Sequence, residues 1–276
     1  MKQQDGAGMN EIPLFDCAAH PTLTGGWLRP QDGHANTFDR LIKEMDRANV
    51  AHAVAFGMAG VGGYEAGAYI REAQRFGERL VPVAFCDFAE IKGPRDAAAY
   101  LGQLRSLGYC GIKIHPRLSA VQVDDPRVLA VVLAAAELGM VVMICTYPYE
   151  ASIRSLCNGV EHIARLLFAA PHARVVLMHG GDVRLMEMAS FVRHLPGSNV
   201  LLDLSFTMCK YKGSSVDLDV RFLFENFDRR ICIGSDSPEF SLDVMRERFD
   251  FFAHGLPGEK IRNIANLNLS RFLGRA

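Results

Sequence analysis

The sequence has no closely spaced pair of cysteines, although it contains seven cysteines in 276 residues. An odd number of scattered cysteines argues against a disulfide framework and is typical of a reducing compartment. No run approaches the roughly 18 apolar residues that a membrane span needs, and the first residues lack the apolar core of a signal peptide. We therefore expect a cytoplasmic protein that does not enter membranes, with a disordered segment at residues 1–10.

The chain also lacks a strong net charge, since 30 Lys and Arg residues face 31 Asp and Glu residues. Such a balance gives no long-range attraction to nucleic acid or to anionic lipid. A hydrophobic fraction of 49% and a charged fraction of 22% are ordinary for a globular domain. The expected partner is a small-molecule substrate rather than nucleic acid or a membrane. The oligomeric state is left open, with a homodimer as one option.

Eight short apolar runs recur along the chain, each rich in Val, Ile, Leu or Phe without strict polar alternation. This pattern is typical of parallel strands that are covered on both faces. Segments with helical spacing separate the runs, and several of them end in Gly or Asn, as helix C-caps do. The runs lie at residues 12–20, 52–57, 80–88, 110–115, 140–147, 174–180, 199–206 and 231–236.

Eight strands that alternate with helices predict one α/β domain, a single (β/α)₈ or TIM barrel over residues 11–276. The helix near residues 216–227 has the weakest pattern. A doubly wound sheet of six strands is the alternative, but it would leave two runs unexplained. No G-x-G-x-x-G motif follows the first run, which also argues against that alternative.

Polar side chains stand at six of the predicted strand ends, where the active sites of such barrels lie. A single histidine at a strand end is more often structural, but six ends that converge on one point favour an active site. Alternation along a strand also places Ala18 and His20 on one face. The polar residues are His20, Lys113, His115, Cys145, His179, Asp203 or Ser205, and Asp236.

Several of these residues lie in longer motifs, among them GIKIHP at 111–116, ARVVLMHGGD at 173–182 and RICIGSDSP at 230–238. In order and spacing these motifs resemble the amidohydrolase superfamily, specifically the amidohydrolase-2 group of metal-dependent TIM-barrel hydrolases and decarboxylases. The resemblance covers nearly the whole chain. It implies an enzyme whose site combines residues from strands 1, 5, 6 and 8.

The resemblance also implies one divalent metal ion, zinc or manganese, bound by two histidines of strand 1, one each of strands 5 and 6, and an aspartate of strand 8. His20, His179 and Asp236 match three of these positions. Ala18 and Cys145 replace the other two histidines. Because thiolate is an accepted zinc ligand, the candidate metal ligands are His20, Cys145, His179 and Asp236. Loss of one ligand at Ala18 lowers affinity, so a site without metal is an equal alternative.

The first hypothesis for the reaction is hydrolysis of a lactone, ester or cyclic amide that bears a carboxylate. Asp236 would act as base and His179 as acid or electrophile, while Lys113 polarises an oxygen. Non-oxidative decarboxylation is the alternative, and an inactive binding protein is a further one. Arginines near the strand ends suit a carboxylate, and aromatic residues suit a flat ring. The substrate-binding candidates are His115, Arg117, Arg29, Arg184, Tyr147 and Trp27.

Overall fold

The computed structural model of the protein describes residues 12–28, 35–148, 159–195, 197 and 199–275. The segment at residues 1–10, expected to be disordered, lies outside the described residues. Eight parallel strands form one sheet in sequential order from β1 to β8. The strands are β1 Leu14–Ala19, β2 Val50–Phe56, β3 Leu80–Phe85, β4 Gly111–Ile114, β5 Val141–Cys145, β6 Val175–Met178, β7 Val200–Asp203 and β8 Ile231–Cys232.

The two edge strands of the sheet meet, which turns it into a nearly closed barrel. The Cys17 amide donates to the Ile233 carbonyl at 2.8 Å, and the His20 amide donates to the Ser237 carbonyl at 2.8 Å. Each strand coincides with one of the apolar runs of the sequence, because strands covered on both faces are apolar throughout. The predicted (β/α)₈ barrel is therefore confirmed, and the alternative with six strands is wrong.

Helices connect successive strands and cover the outside of the barrel. The weak pattern near residues 216–227 does form a helix, and the chain ends in a helical segment that includes one π-turn at Asn263–Leu267. The helices are α1 Phe38–Arg47, α2 Ala66–Gln74, α3 Pro94–Leu107, α4 Pro116–Ser119, α5 Pro126–Glu137, α6 Val160–Ala169, α7 Leu185–His194, α8 Thr207–Lys210, α9 Val216–Asn226, α10 Leu242–Ala253, α11 Gly258–Arg262 and α12 Asn268–Phe272. Among the described helices, none is long and apolar enough to cross a membrane.

Apolar side chains fill the lower part of the barrel, and the C-terminal helix covers its amino end. Phe15, Val83 and Met143 belong to an interior cluster that Leu269 and Phe272 of α12 also join. Larger aliphatic and aromatic residues pack between the outer face of the sheet and the helices. Because the amino end is filled, the open end of the barrel is the carboxyl end, where polar side chains replace apolar ones.

Candidate active site

A cavity of about 260 Å³ opens at the carboxyl ends of the strands. Eight of the residues predicted from sequence line it, and strands at opposite sides of the barrel contribute them. The structure therefore brings together side chains that lie far apart in the sequence. These residues are His20, Trp27, Lys113, His115, Arg117, Tyr147, His179 and Asp236.

The backbone is strained where three successive strands deliver residues to this cavity. His179, Phe206 and Asp236 follow β6, β7 and β8, and they have φ angles of +64°, +63° and +57°. Residues other than glycine rarely adopt positive φ, at a cost of about 1–3 kcal/mol each. The surrounding barrel holds these conformations, which commonly mark functional sites.

One side of the cavity floor is a chain of three charged or polar groups. The Lys113 Nζ atom lies 3.2 Å from His20 Nε2, and Asp236 Oδ1 lies 3.3 Å from the same nitrogen. The ammonium group of Lys113 also lies 4.3 Å from the centre of the Phe56 ring. Lys113 is only 1% exposed. A buried lysine is stabilised by such neighbours, because an isolated buried charge is very costly.

The surroundings set the charge states of these groups. Burial lowers the pKa of His20 to about 4, and the charge of Lys113 acts in the same direction. Burial alone would raise the pKa of Asp236, but the charge of His179 and the hydrogen bond from His20 hold it below its ordinary value. Near neutral pH the site therefore has a neutral His20 beside an ionised Asp236.

His179 lies on the other side of the cavity floor and differs from His20 in its protonation state. Burial by itself lowers its pKa, but the negative charges of Asp236 and Cys145 outweigh this effect and raise the pKa to about 9. Its Nδ1 atom lies 3.2 Å from the Ser205 carbonyl oxygen and 3.1 Å from Ser205 Oγ. Asp203 accepts a hydrogen bond from the Ser205 hydroxyl and thereby orients this partner. His179 is thus a fixed, protonated imidazole.

Cys145 lies behind the histidines rather than on the cavity surface. Its side chain is fully buried, and an Arg117 nitrogen lies 3.9 Å from its sulfur. Burial tends to raise the pKa of the thiol, but the charges and hydrogen bonds of His115 and His179 bring it well below its ordinary value. The arrangement is a thiolate beside the protonated imidazole of His179, with the charge separated inside a low-dielectric site.

Cationic and aromatic side chains form the upper wall of the cavity. The guanidinium of Arg117 lies 4.6 Å from the centre of the Tyr147 ring, and the Lys210 ammonium donates to the Tyr147 hydroxyl at 3.1 Å. On the facing side, Trp27 Nε1 donates to Glu239 Oε1 at 3.0 Å. A flat, negatively charged molecule would meet rings and positive charge together here.

The family profile described as amidohydrolase matches residues 15–275 of the chain. The chain belongs to the amidohydrolase family. It is accordingly an enzyme of that family. No curated protein sequence matches the chain.

Several solved structures share the amidohydrolase barrel at low sequence identity. An uncharacterised TIM-barrel protein from Bordetella bronchiseptica is 19% identical, has a TM-score of 0.79, and the match covers 96% of this chain and 99% of that one. A probable 2-pyrone-4,6-dicarboxylic acid hydrolase from Acinetobacter baumannii, with citric acid bound, is 16% identical with a TM-score of 0.69, covering 95% and 100%. The 5-carboxyvanillate decarboxylase of Sphingomonas paucimobilis is 13% identical with a TM-score of 0.69, covering 96% and 99%. These likenesses show the fold.

Amidohydrolases usually bind a divalent metal ion, but the four candidate ligands of this chain do not fit one. All four candidate ligands lie within the described residues, yet no three of them bring donor atoms within 4.8 Å of one another. His20 Nε2 instead contacts the ammonium group of Lys113. Ala18 packs in the apolar interior and offers no donor atom. The predicted metal set of His20, Cys145, His179 and Asp236 therefore does not form a compact group of ligands.

A different trio of potential donors lies deeper in this amidohydrolase barrel. Within the described residues, Cys17, Asp203 and Cys232 are the one such group whose donor atoms fall within 4.8 Å. Burial raises the pKa of both thiols, so they stay protonated. Both oxygens of Asp203 accept hydrogen bonds, and the donors are the backbone amides of His179 and Ser205 and the hydroxyl group of Ser205. We interpret this trio as part of the support for His179.

Among the described residues, one predicted substrate-binding residue, Arg184, does not line the amidohydrolase cavity. Arg184 follows β6 on an outer turn and forms a bidentate ion pair with Glu187, at 2.7 and 3.1 Å. Its prediction was based on sequence proximity to β6, but the turn directs its side chain away. Arg29 lies outside the described residues.

Sequence reasoning missed three residues that line the cavity, Leu28, Met58 and Glu239. Glu239 follows Asp236 by three residues, and its amide donates to the Asp236 carbonyl at 2.9 Å. An acidic residue three positions after the end of β8 was therefore a usable signal, since a tight turn returns the chain to the same edge. Leu28 and Met58 carried no such signal.

Proposed function

We propose that the protein hydrolyses a small ester, lactone or cyclic amide that bears a carboxylate. The observation that carries this proposal is the pairing of an ionised Asp236 with a protonated His179 in one cavity. A base and an acid held apart with opposite charge states are what general acid–base hydrolysis needs.

In this reaction a water molecule attacks the carbonyl carbon while Asp236 accepts one of its protons. The carbonyl oxygen becomes negative, and His179 and Lys113 stabilise that charge. The carbon–oxygen or carbon–nitrogen bond then breaks, and the leaving atom takes a proton from His179. Because Asp236 has a lowered pKa it is a weak base, so stabilisation of the oxyanion supplies the larger part of the rate enhancement.

The upper wall provides recognition in this proposal. The Arg117 guanidinium is placed to bind a substrate carboxylate through two parallel hydrogen bonds, and His115 lies beside it on the same strand end. Tyr147 and Trp27 are separated across the cavity mouth and would contact the faces or edges of a flat ring. A substrate without the carboxylate would lose the Arg117 interaction and bind more weakly.

Non-oxidative decarboxylation is the second candidate, and the protonated state of His179 favours it. Loss of CO₂ leaves a carbanion, which His179 could protonate at carbon while Lys113 and Arg117 hold the substrate. The decarboxylase from Sphingomonas paucimobilis has the same barrel fold.

The test is an activity screen with lactones, aryl esters, cyclic imides and aromatic carboxylic acids, run on the wild type and on Asp236→Asn. We expect Asp236→Asn to lower kcat/KM by about 10³-fold or more, because it removes the base at nearly constant volume. Glu239→Gln should lower it much less, since Glu239 is bound to Trp27. Turnover by Asp236→Asn within about tenfold of the wild type would refute the assignment.

The same screen separates the two reactions by their products. Hydrolysis in H₂¹⁸O places ¹⁸O in the product acid, whereas decarboxylation in D₂O places deuterium on carbon and releases CO₂. Mass spectrometry of the product reads both outcomes directly.

A further inference from the structure

The geometry points to a substitution of one cation for another: the ammonium group of Lys113 occupies the position of the metal ion of this family and takes over its electrostatic role. The starting observation is the short contact of Lys113 Nζ with His20 Nε2, at 3.2 Å. His20 and Asp236 are two residues that match the metal ligands of the family pattern, and both carry their donor atoms on this side of the cavity.

The surroundings of Lys113 are those of a resident cation. It is 1% exposed, and yet it lines the cavity, so its charge is directed at whatever occupies the site. The face of the Phe56 ring lies 4.3 Å below the ammonium group and attracts it through the ring quadrupole. A lysine retained only for stability would need no access to the cavity.

Ala18 strengthens this inference independently. It belongs to the same interior cluster as Phe15 and Cys17, while Ala19 packs in the outer cluster. Position 18 therefore faces the interior, where a histidine would add a donor atom beside His20. The chain lacks this donor and has a positive charge nearby, and each of these features by itself opposes binding of a divalent cation.

Replacement of the metal ion by Lys113 changes which reactions the site can perform. This consequence rests on the proposed function. An ammonium group stabilises an oxyanion by charge and hydrogen bonds, but it cannot lower the pKa of a bound water as a metal ion does. Water must therefore be activated by Asp236 alone. We expect activated substrates, such as strained lactones and aryl esters, to be hydrolysed much faster than simple amides.

The decisive experiment measures metal binding and requires no substrate. The wild type, Ala18→His, Lys113→Met and the double variant Ala18→His/Lys113→Met are purified without added metal. Zinc and manganese contents are determined by mass spectrometry, and zinc affinities by competition with a chromophoric chelator. Lys210→Met, alone and combined with Ala18→His, is the matched control, because it removes the same charge outside the His20 contact.

We expect the wild type to contain well under one equivalent of metal, and the double variant to bind zinc at least roughly 100-fold more tightly than Ala18→His alone. Lys113→Met alone should also bind zinc more tightly than the wild type, which keeps the test valid if the double variant does not fold. About one equivalent of zinc in the wild type would overturn the inference. So would equal affinities of Ala18→His and the double variant, or an equal gain from Lys210→Met. None of these results depends on whether the reaction is hydrolysis.

Discussion

At the scale of single residues, two histidines in one cavity carry opposite charge states because of their neighbours. His20 lies beside the positive charge of Lys113, and burial with that charge lowers its pKa to about 4. His179 lies between Asp236 and Cys145, whose negative charges raise its pKa to about 9. The same type of side chain is thus neutral in one place and protonated, and able to donate a proton, in the other.

The raised pKa of His179 predicts the basic limb of the pH–rate profile. Activity should be constant through neutral pH and fall as the pH rises through about 9, because the neutral imidazole no longer donates a proton. The measurement is kcat/KM between pH 5 and 10.5 on the best substrate of the screen. A decline centred near 6.5, the ordinary value for histidine, would mean that His179 is not the acid.

The charge of Cys145 should affect the pH at which activity falls on the basic side, although Cys145 does not line the cavity. Burial lowers the pKa of His179 and the thiolate of Cys145 raises it, so Cys145→Ala should move the basic limb to lower pH by about one unit. Cys110→Ala is the matched control, because Cys110 precedes β4 at the far end of the barrel. An unchanged limb in Cys145→Ala would show that the sulfur is not charged.

Most of the site could be predicted from sequence at this scale, because locating a strand in the sequence also locates the residue at its carboxyl end. His20, Lys113, His179 and Asp236 were found in this way. Their contacts could not be predicted, since the distance between Lys113 and His20 depends on how strongly the sheet curves between β1 and β4. The metal hypothesis was based on the family resemblance and on the residue types at the matching positions, and it did not include that contact.

At the scale of elements, the loop after β2 is fixed rather than free. The Gly62 carbonyl accepts hydrogen bonds from the Leu23 and Thr24 amides, at 3.0 and 3.1 Å. Gly62 has a φ angle of +55°, and a Cβ atom there would lie 2.2 Å from Thr22 Cβ. The loop is therefore attached to the segment after β1, and it carries Met58 into the cavity wall.

Gly62→Ala should destabilise the protein by about 2 kcal/mol or more, since it combines positive φ with a steric clash. Gly60→Ala is the matched control: its φ angle is +75°, but a Cβ atom there meets nothing within 4 Å. The control should cost only about 1 kcal/mol, from the backbone conformation alone. Urea denaturation of both variants measures the difference, and equal losses would contradict the packing argument.

The elements themselves were predictable where burial dictates composition. The eight apolar runs became the eight strands because each strand of a covered barrel is apolar on both faces. The loop after β2 was not predictable to the same degree. Its glycines indicate unusual backbone angles, but they do not indicate which neighbouring segment the loop packs against.

At the scale of the whole molecule, a buried carboxylate joins the first and last strands. Asp16 Oδ1 accepts hydrogen bonds from the Ala18 and Ser235 amides, at 2.9 and 2.8 Å, and Oδ2 accepts one from Ser235 Oγ at 2.6 Å. Ser235 Oγ in turn accepts from the Ser237 amide. The network surrounds Asp236 on both sides and fixes the strained turn that carries it.

Burial raises the pKa of Asp16 to about 7, although its hydrogen bonds from Ser235 and Ala18 oppose the shift. The folded state therefore binds this proton more tightly than the unfolded state. The contribution of this proton to the free energy of unfolding is fully present below about pH 4. It is lost as the pH rises through 7, with a slope of about 1.4 kcal/mol per pH unit.

Asp16→Asn removes this titration, so the stability of the wild type relative to the variant should fall between about pH 4 and 7 and stay level above pH 8. Guanidinium denaturation of both proteins across that range is the measurement. A constant difference between the two proteins at all pH values would show that Asp16 does not change its protonation in the folded barrel.

The contact between Lys113 and His20 has a consequence for the supply of active enzyme in the cell. On the inference that Lys113 replaces the metal ion, the site needs no metal-loading step after the chain has folded. Copper displaces zinc from most nitrogen and sulfur sites, but a site whose cation is Lys113 holds no zinc to be displaced. Scarcity of trace elements would leave this enzyme working while related enzymes that depend on zinc or manganese lose activity.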